Sequence, residues 1–401
     1  MARHVYEESD DSGSDESLQG SPDEQERQHF LDVCWSLMDY LGDAAFDLSR
    51  VEELIKGLDP ADMALCQIDA TRFVGDMRQR VQANSRFLAQ FPSPEVCGLD
   101  LGPHGNDLCR QIPEHHRVAS RNSSKVRSTL RQFVRDWAVE GQDERNICYG
   151  PLVRALLRYM PPPSRTKGKG KSKGGYAGGS EPAKVLCPGS GLGRLPFELA
   201  RLGYAAQGNE FSYHMLLGSH LVFNRVQAAN SHVIFPFILS TQNRRGALDH
   251  MAAVRVPDVC PIQALGPDSQ LSMAAGEFVQ VYETAEKEFN AVATCFFLDT
   301  AKNVFQYIRL IAFITQPGGL WINLGPLLFH YAEMPQEISI ELSWEEIRPA
   351  IARYYDFIEE EQQVASYTTN PMSMMRTRYR CIFFVARRNS VEASGYSNPV
   401  F

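Results

Sequence analysis

The sequence predicts an α/β fold, a mostly parallel sheet wrapped by helices and preceded by an all-helical region. Three observations predict it. Apolar strand-like runs alternate with helical segments from Lys184 to about Arg245 and again from Phe289, as in strand–helix–strand units of a parallel sheet. The stretch "VLCPGSGLGRLPFELARLGYAAQGNEFS", residues 185–212, sets a strand, a glycine-rich turn, a helix and a second strand in direct succession. Ahead of these, Phe30, Val33, Cys34, Trp35, Met38 and Leu41 recur at intervals close to a helical turn.

Composition narrows the function. A chain of 401 residues, 44% hydrophobic, can bury a large core and is expected to hold one large domain plus an accessory region. A formal net charge of −8 argues against general attraction to nucleic acid or to an anionic membrane, and favours small-molecule or peptide ligands. No apolar run approaches the roughly 20 residues of a membrane span. The N-terminus lacks the basic-then-apolar order of a signal peptide, so a soluble protein of the cytoplasm or nucleus is expected. The nine cysteines include no CxxC pair, which supports neither a disulfide framework nor a metal site.

Taken in order, residues 1–28 are acidic and serine-rich with little to bury, and read as a disordered tail. Residues 29–160 read as helical. In "SSKVRSTLRQFVRDWAVEG", Leu130, Phe133, Val134 and Trp137 form one apolar stripe that ends before Gly141. Residues 161–183 are rich in proline, glycine and lysine and read as a linker; Lys167, Lys169, Lys171 and Lys173 suit either a nuclear-import or nucleic-acid patch or a solvated loop. The α/β domain is expected over 184–390, interrupted by an insertion at about 246–285, with a tail over 391–401.

The glycine turn carries the first chemical information. A dinucleotide fingerprint requires G-x-G-x-x-G, whereas Gly189, Gly191 and Gly193 are followed by Arg194. The pyrophosphate reading weakens, and with it that of a nicotinamide-dependent dehydrogenase. Bare glycine backbone still admits a ligand closely. Glu210 falls at the tip of the second strand, where a carboxylate accepts both hydroxyls of a ribose. A nucleoside without phosphates is implied, and S-adenosylmethionine is one.

Later segments agree. "FNAVATCFFLDTAKN" is an apolar strand ending in Asp299, Thr300 and Asn303, at the edge where open α/β sheets hold ligands. "IRLIAFITQPGGLWINLGPLLFHY" reads as helix, Pro-Gly-Gly turn and strand, an order characteristic of the Rossmann-like sheet of class I methyltransferases. "SWEEIRPAIARYYDF" reads as a helix with Ser343 and Glu346 at capping-box spacing. "RYRCIFFVARR" supplies a last strand, expected antiparallel at the sheet edge.

Together "PGSGLGRLPFELARLGYAAQGNEFS", "FFLDTAKN", "PGGLWINLGPLLFHY", "ELSWEEI" and "YTTNPMSMMRTRYRC" resemble the carnosine N-methyltransferases, over about residues 30–388. The resemblance implies methyl transfer from S-adenosylmethionine to the imidazole π nitrogen of carnosine, giving anserine, and a homodimer. It implies cofactor contacts at Gln132, Arg135, Gly189, Gly191, Glu210, Glu277, Phe278 and Cys295, and substrate contacts at Asp299, His330 and Tyr379. Gln132 and Arg135 share a helical face away from the apolar stripe, and an arginine there can grip a carboxylate. Glu277 stands where the family has aspartate, Lys302 where it has histidine, and Thr377 and Arg380 also depart from its pattern. Methylation of histidine in peptides or proteins, and a non-catalytic nucleotide-binding module, are the alternative readings.

Overall fold

A computed structural model describes residues 21–66, 69–92, 122–162 and 181–393, which fall into two compact units. The expected acidic tail up to residue 20, most of the lysine-rich linker and the chain beyond 393 lie outside the described residues.

One unit comprises the chain as far as Gln142, together with Tyr213–Ile262 and Tyr367–Thr377. It is largely helical: α1 (Pro22–Met38), α2 (Tyr40–Lys56), α3 (Pro60–Cys66), α4 (Ala70–Leu88) and α5 (Ser123–Trp137). Helix α1 begins ahead of the expected start at His29. Ser21 and Glu24 form a capping box, the Ser21 N–H donating to the Glu24 carboxylate at 2.8 Å, and Pro22 opens the helix. The acidic residues at the end of the expected tail thus sit at the positive end of a helix dipole.

Residues 213–245 were expected to continue the sheet and do not. They belong to the helical unit, where His232–Ile234 pairs antiparallel with Val254–Val256 in a separate two-stranded ribbon. Fully buried Asn84 of α4 binds both backbone groups of Phe235, accepting from its N–H at 2.7 Å and donating to its carbonyl at 2.9 Å. A side chain here meets hydrogen bonds that a sheet neighbour would otherwise supply.

The other unit is α/β and includes Asp143–Ser212, Gln263–Ser366 and Arg378 onward. It opens with helix α6 (Gln142–Tyr159), expected in the helical region. Its Cys148, Leu152 and Leu156 instead pack in one core with Val185, Leu199 and Ile322. The strands are β1 (Lys184–Pro188), β2 (Ala205–Glu210), β3 (Gln270–Ala275), β4 (Phe289–Cys295), β5 (Thr315–Gly325), β6 (Tyr355–Ala365) and β7 (Tyr379–Arg388). Their order is β3-β2-β1-β4-β5-β7-β6, with β7 antiparallel to both neighbours and the other pairings parallel. This is the class I methyltransferase sheet.

Both faces are covered, as a parallel sheet requires. Val185, Cys187, Ala291, Ala293, Leu320 and Ile322 enter the core shared with α6 and α7 (Arg194–Leu202). Leu186, Val292, Trp321 and Phe384 enter the opposite core. That core also takes α8 (Phe278–Tyr282), α9 (Val304–Ile314) and α10 (Trp344–Ala352), the last carrying the expected Ser343–Glu346 capping box.

Two strand expectations are corrected. The interval expected as an insertion contains β3, which pairs in register with β2 from Ala205↔Gln270 to Glu210↔Ala275. The last strand, β7, is internal, and the sheet edge is β6, whose Glu359, Glu360 and Glu361 hide it from an apolar pattern. Charge on an edge strand discourages unwanted pairing.

Candidate active site

The site is built from the carboxyl ends of the parallel strands. After β1, Gly189, Gly191 and Gly193 all have positive φ, at 62°, 55° and 79°. A Cβ on Gly189 would lie 2.5 Å from the ring of Phe297, so this glycine also makes room for the protein's own aromatic. Gly189→Ala is therefore expected to destabilise the fold, by about 1–2 kcal/mol for the left-handed backbone alone and further for the ring. Thermal denaturation of the variant reads this directly.

The turn is tied to the tip of β2. The Gly191 N–H donates to Glu210 Oε2 at 2.7 Å, while Oε1 accepts from the Phe211 and Ser212 N–H groups, each at 2.9 Å. At the end of β3, Gly276 donates its N–H to the Glu210 carbonyl at 3.0 Å. Glu277 caps α8, its carboxylate accepting from the Gln280 N–H at 2.9 Å, and burial pushes its pKa up. Phe278 lies within an aromatic cluster: its ring meets Phe297 and Tyr307 edge-on at 5.3 and 5.1 Å, and those two stack at 4.8 Å.

Beyond β4 the backbone bends sharply. Cys295 is half-buried, and Phe296 adopts a left-handed φ of 55° while donating its N–H to the Leu324 carbonyl at 2.8 Å. Such a backbone is uncommon in a bulky non-glycine residue, and strained conformations of this kind cluster at functional sites. The next turn carries Asp299, only 2% exposed. Its Oδ2 accepts from the Leu328 N–H at 2.9 Å and its carbonyl from the His330 N–H at 3.0 Å. Burial raises the Asp299 pKa, with charge on His330 and the Leu328 N–H working against that rise. The His330 side chain is exposed. Tyr379, half-buried, opens β7 opposite Ala365, its ring edge-on to Phe296 at 6.0 Å.

The α/β unit thus gathers Gly189, Gly191, Glu210, Glu277, Phe278, Cys295, Asp299, His330 and Tyr379 at one end of its sheet, because antiparallel β7 starts where the parallel strands finish. Gln132 and Arg135 belong to the helical unit. The face that Gln132 and Arg135 share, away from the apolar stripe, is nevertheless buried: they are 3% and 5% exposed. Asp136, which the sequence reading passed over, accepts from Gln132 Nε2 at 3.1 Å and Arg135 Nη1 at 3.3 Å. The Arg135 guanidinium also lies over the Tyr367 ring at 4.6 Å.

Among the described residues no cluster of His, Cys, Asp or Glu could hold a metal, and no helix is long and apolar enough to cross a membrane. A family model described as carnosine N-methyltransferase matches residues 113–390. The carnosine N-methyltransferase of Mus musculus is 35% identical over 366 residues, covering 90% of this chain and 86% of the mouse protein. That of Drosophila melanogaster is 33% identical, covering 91% and 81% of the two chains. That of Schizosaccharomyces pombe is 37% identical, covering 66% and 70%.

Proposed function

This chain belongs to the carnosine N-methyltransferase family, and from that premise we propose that it methylates the imidazole π nitrogen of carnosine to give anserine, with S-adenosylmethionine as donor. The residues present suit that donor. Glu210, held by three backbone N–H groups beside a turn of left-handed glycines, offers a fixed acceptor for a ribose diol. No third fingerprint glycine prepares the turn for a pyrophosphate. S-adenosylmethionine, when bound, supplies an electrophilic methyl group on its sulfonium.

The observation that carries the proposal is Asp299, a buried carboxylate with one oxygen fixed by Leu328 at the ligand-binding end of the sheet. Its other oxygen suits an imidazole N–H. Accepting from the τ nitrogen holds the ring in the tautomer whose π nitrogen keeps its lone pair, and stabilises the positive charge that grows on the ring. Neutral imidazole is already abundant at pH 7, so Asp299 orients and stabilises without first removing a proton. His330 and Tyr379 are assigned to the carboxylate and amine ends of the dipeptide, where fixing its pose lowers the barrier.

Mass spectrometry of products formed from carnosine and methyl-labelled S-adenosylmethionine tests this, with a histidine-containing peptide in parallel. Label on the π nitrogen of carnosine is the expected result. Label in the peptide alone would move the acceptor to protein histidine, and label in neither would overturn the assignment.

A further inference from the structure

Residues 326–343 join β5 to α10 without a helix or strand, yet they carry the Leu328 N–H and His330. Such a connection keeps its shape only where other elements hold it. One hold is Phe329, buried in the core with a left-handed φ of 51°. Others come from the short stretch between β4 and α9. Asp299 takes the Leu328 and His330 N–H groups. Three residues on, the Lys302 carbonyl accepts the Ile340 N–H at 3.1 Å, its ammonium donates to Glu337 Oε2, and the same ammonium lies over the Tyr331 ring at 5.0 Å. The Lys302 backbone is a firm support, because Asn303 beside it caps α9 by accepting from the Phe305 N–H at 3.0 Å. The Glu337 side chain is 12% exposed and that of Lys302 49%, so salt screens this pair less than one wholly in solvent.

We propose that Lys302 is a positioning residue for acceptor binding and acts through His330. Asp299 holds the His330 backbone from one side, and the Lys302 ammonium holds the ring of its chain neighbour Tyr331 from the other. His330 itself is exposed, so its direction depends on where this backbone is held more than on packing around its ring. Loss of the ammonium removes one hold on Tyr331 and one on Glu337, and His330 then spends less time in the pose that meets the dipeptide. The inference rests on the assignment of His330 to the dipeptide. Lys302, Tyr331, Glu337 and His330 all lie in the α/β unit, as do Asp299 and Tyr379.

Steady-state kinetics of the full chain with carnosine and S-adenosylmethionine test this. Lys302→Met keeps the length of the stem and removes the charge. It is expected to raise the KM for carnosine about fivefold, the scale of one partly sheltered ion pair, with kcat and the KM for S-adenosylmethionine within about twofold. No rise, or equal rises for both substrates, would overturn the proposal. Lys302→Arg keeps the charge, a donor and the ring contact, and should stay within about twofold of the native enzyme. Glu337→Ala leaves the Lys302 charge in place and should raise the KM for carnosine as Lys302→Met does; an unchanged or lower KM there would mean that Lys302 meets the acceptor directly, and the positioning role would fall. The closing comparison uses His330→Ala. On that background Lys302→Met should add less than about twofold, because a residue acting through His330 has nothing left to position; the full fivefold rise on that background counts against the proposal. Failure of the underlying reading looks different: the native enzyme leaves carnosine unmethylated, or His330→Ala alone leaves the KM for carnosine unchanged, and either result removes the acceptor assignment and this proposal with it.

Discussion

Asp299→Asn is expected to lower kcat by about 100- to 1,000-fold, the scale seen on removing one preorganised electrostatic partner, while cofactor affinity stays within about twofold. The substitution keeps the shape of the side chain, and its Oδ1 can still accept from the Leu328 N–H that holds Oδ2 at 2.9 Å. The amide nitrogen then faces the imidazole N–H, donor against donor, and the charge that balanced the growing imidazolium is gone. The pH profile sharpens the test. Burial raises the Asp299 pKa, so the carboxylate takes up its proton at a pH above the ordinary aspartate range and then stops accepting. Activity is lost as pH falls, both through this protonation and through that of the substrate imidazole near about 6.5. In the native enzyme, log kcat/KM on the acid side should steepen toward two protons; in Asp299→Asn the slope should stay at one. Equal falls in turnover and cofactor affinity would reassign Asp299 to a structural role.

Much of the sheet was legible because its buried strands are continuous apolar runs bounded by glycine and polar residues. β1, β4 and β5 could be read from their own sequence, β2 from its place after the glycine turn and helix, and the Ser343–Glu346 cap from its spacing. β6 escaped because an edge strand tolerates Glu359–Glu361, and β3 because "QLSMAA" has too little apolar contrast to stand out. The departure of Tyr213–Ile262 into the helical unit left no local signal: "SHVIFPFIL" looks like a sheet strand until buried Asn84, distant in sequence, binds Phe235. The same limit applies to the site. Glu210 and Asp299 were readable as acids at the ends of apolar strands, whereas Leu328 acts through its backbone, which no sequence pattern marks. Gln132 and Arg135 were placed on one helix face, but whether that face meets water depends on what packs against it. Burial of Gln132, Arg135 and Asp136 together turned an ordinary polar face into a fixed network.

Glu210→Ala is expected to raise the KM for S-adenosylmethionine by about 100-fold, the loss of two hydrogen bonds to a charged acceptor at roughly 1.5 kcal/mol each, with kcat at saturation within about threefold. The prediction has to be separated from damage to the turn, because the same carboxylate accepts the N–H groups of Gly191, Phe211 and Ser212. Alanine leaves all three without that acceptor, and a loosened glycine turn would also weaken binding. Ligand chemistry distinguishes the two causes. If Glu210 meets the diol, the native enzyme should bind adenosine better than 2′-deoxyadenosine, and the variant should lose that preference, a coupling read as in a double-mutant cycle. If Glu210 only braces the turn, both ligands weaken together and the preference survives. Glu210→Gln sharpens the contrast, since its carbonyl oxygen can still serve Phe211 and Ser212 while its amide nitrogen opposes the Gly191 N–H. A preference lost in both variants assigns the carboxylate to the ribose; one retained in both makes Glu210 a brace for the turn and moves the search for the diol's acceptor elsewhere on the sheet end.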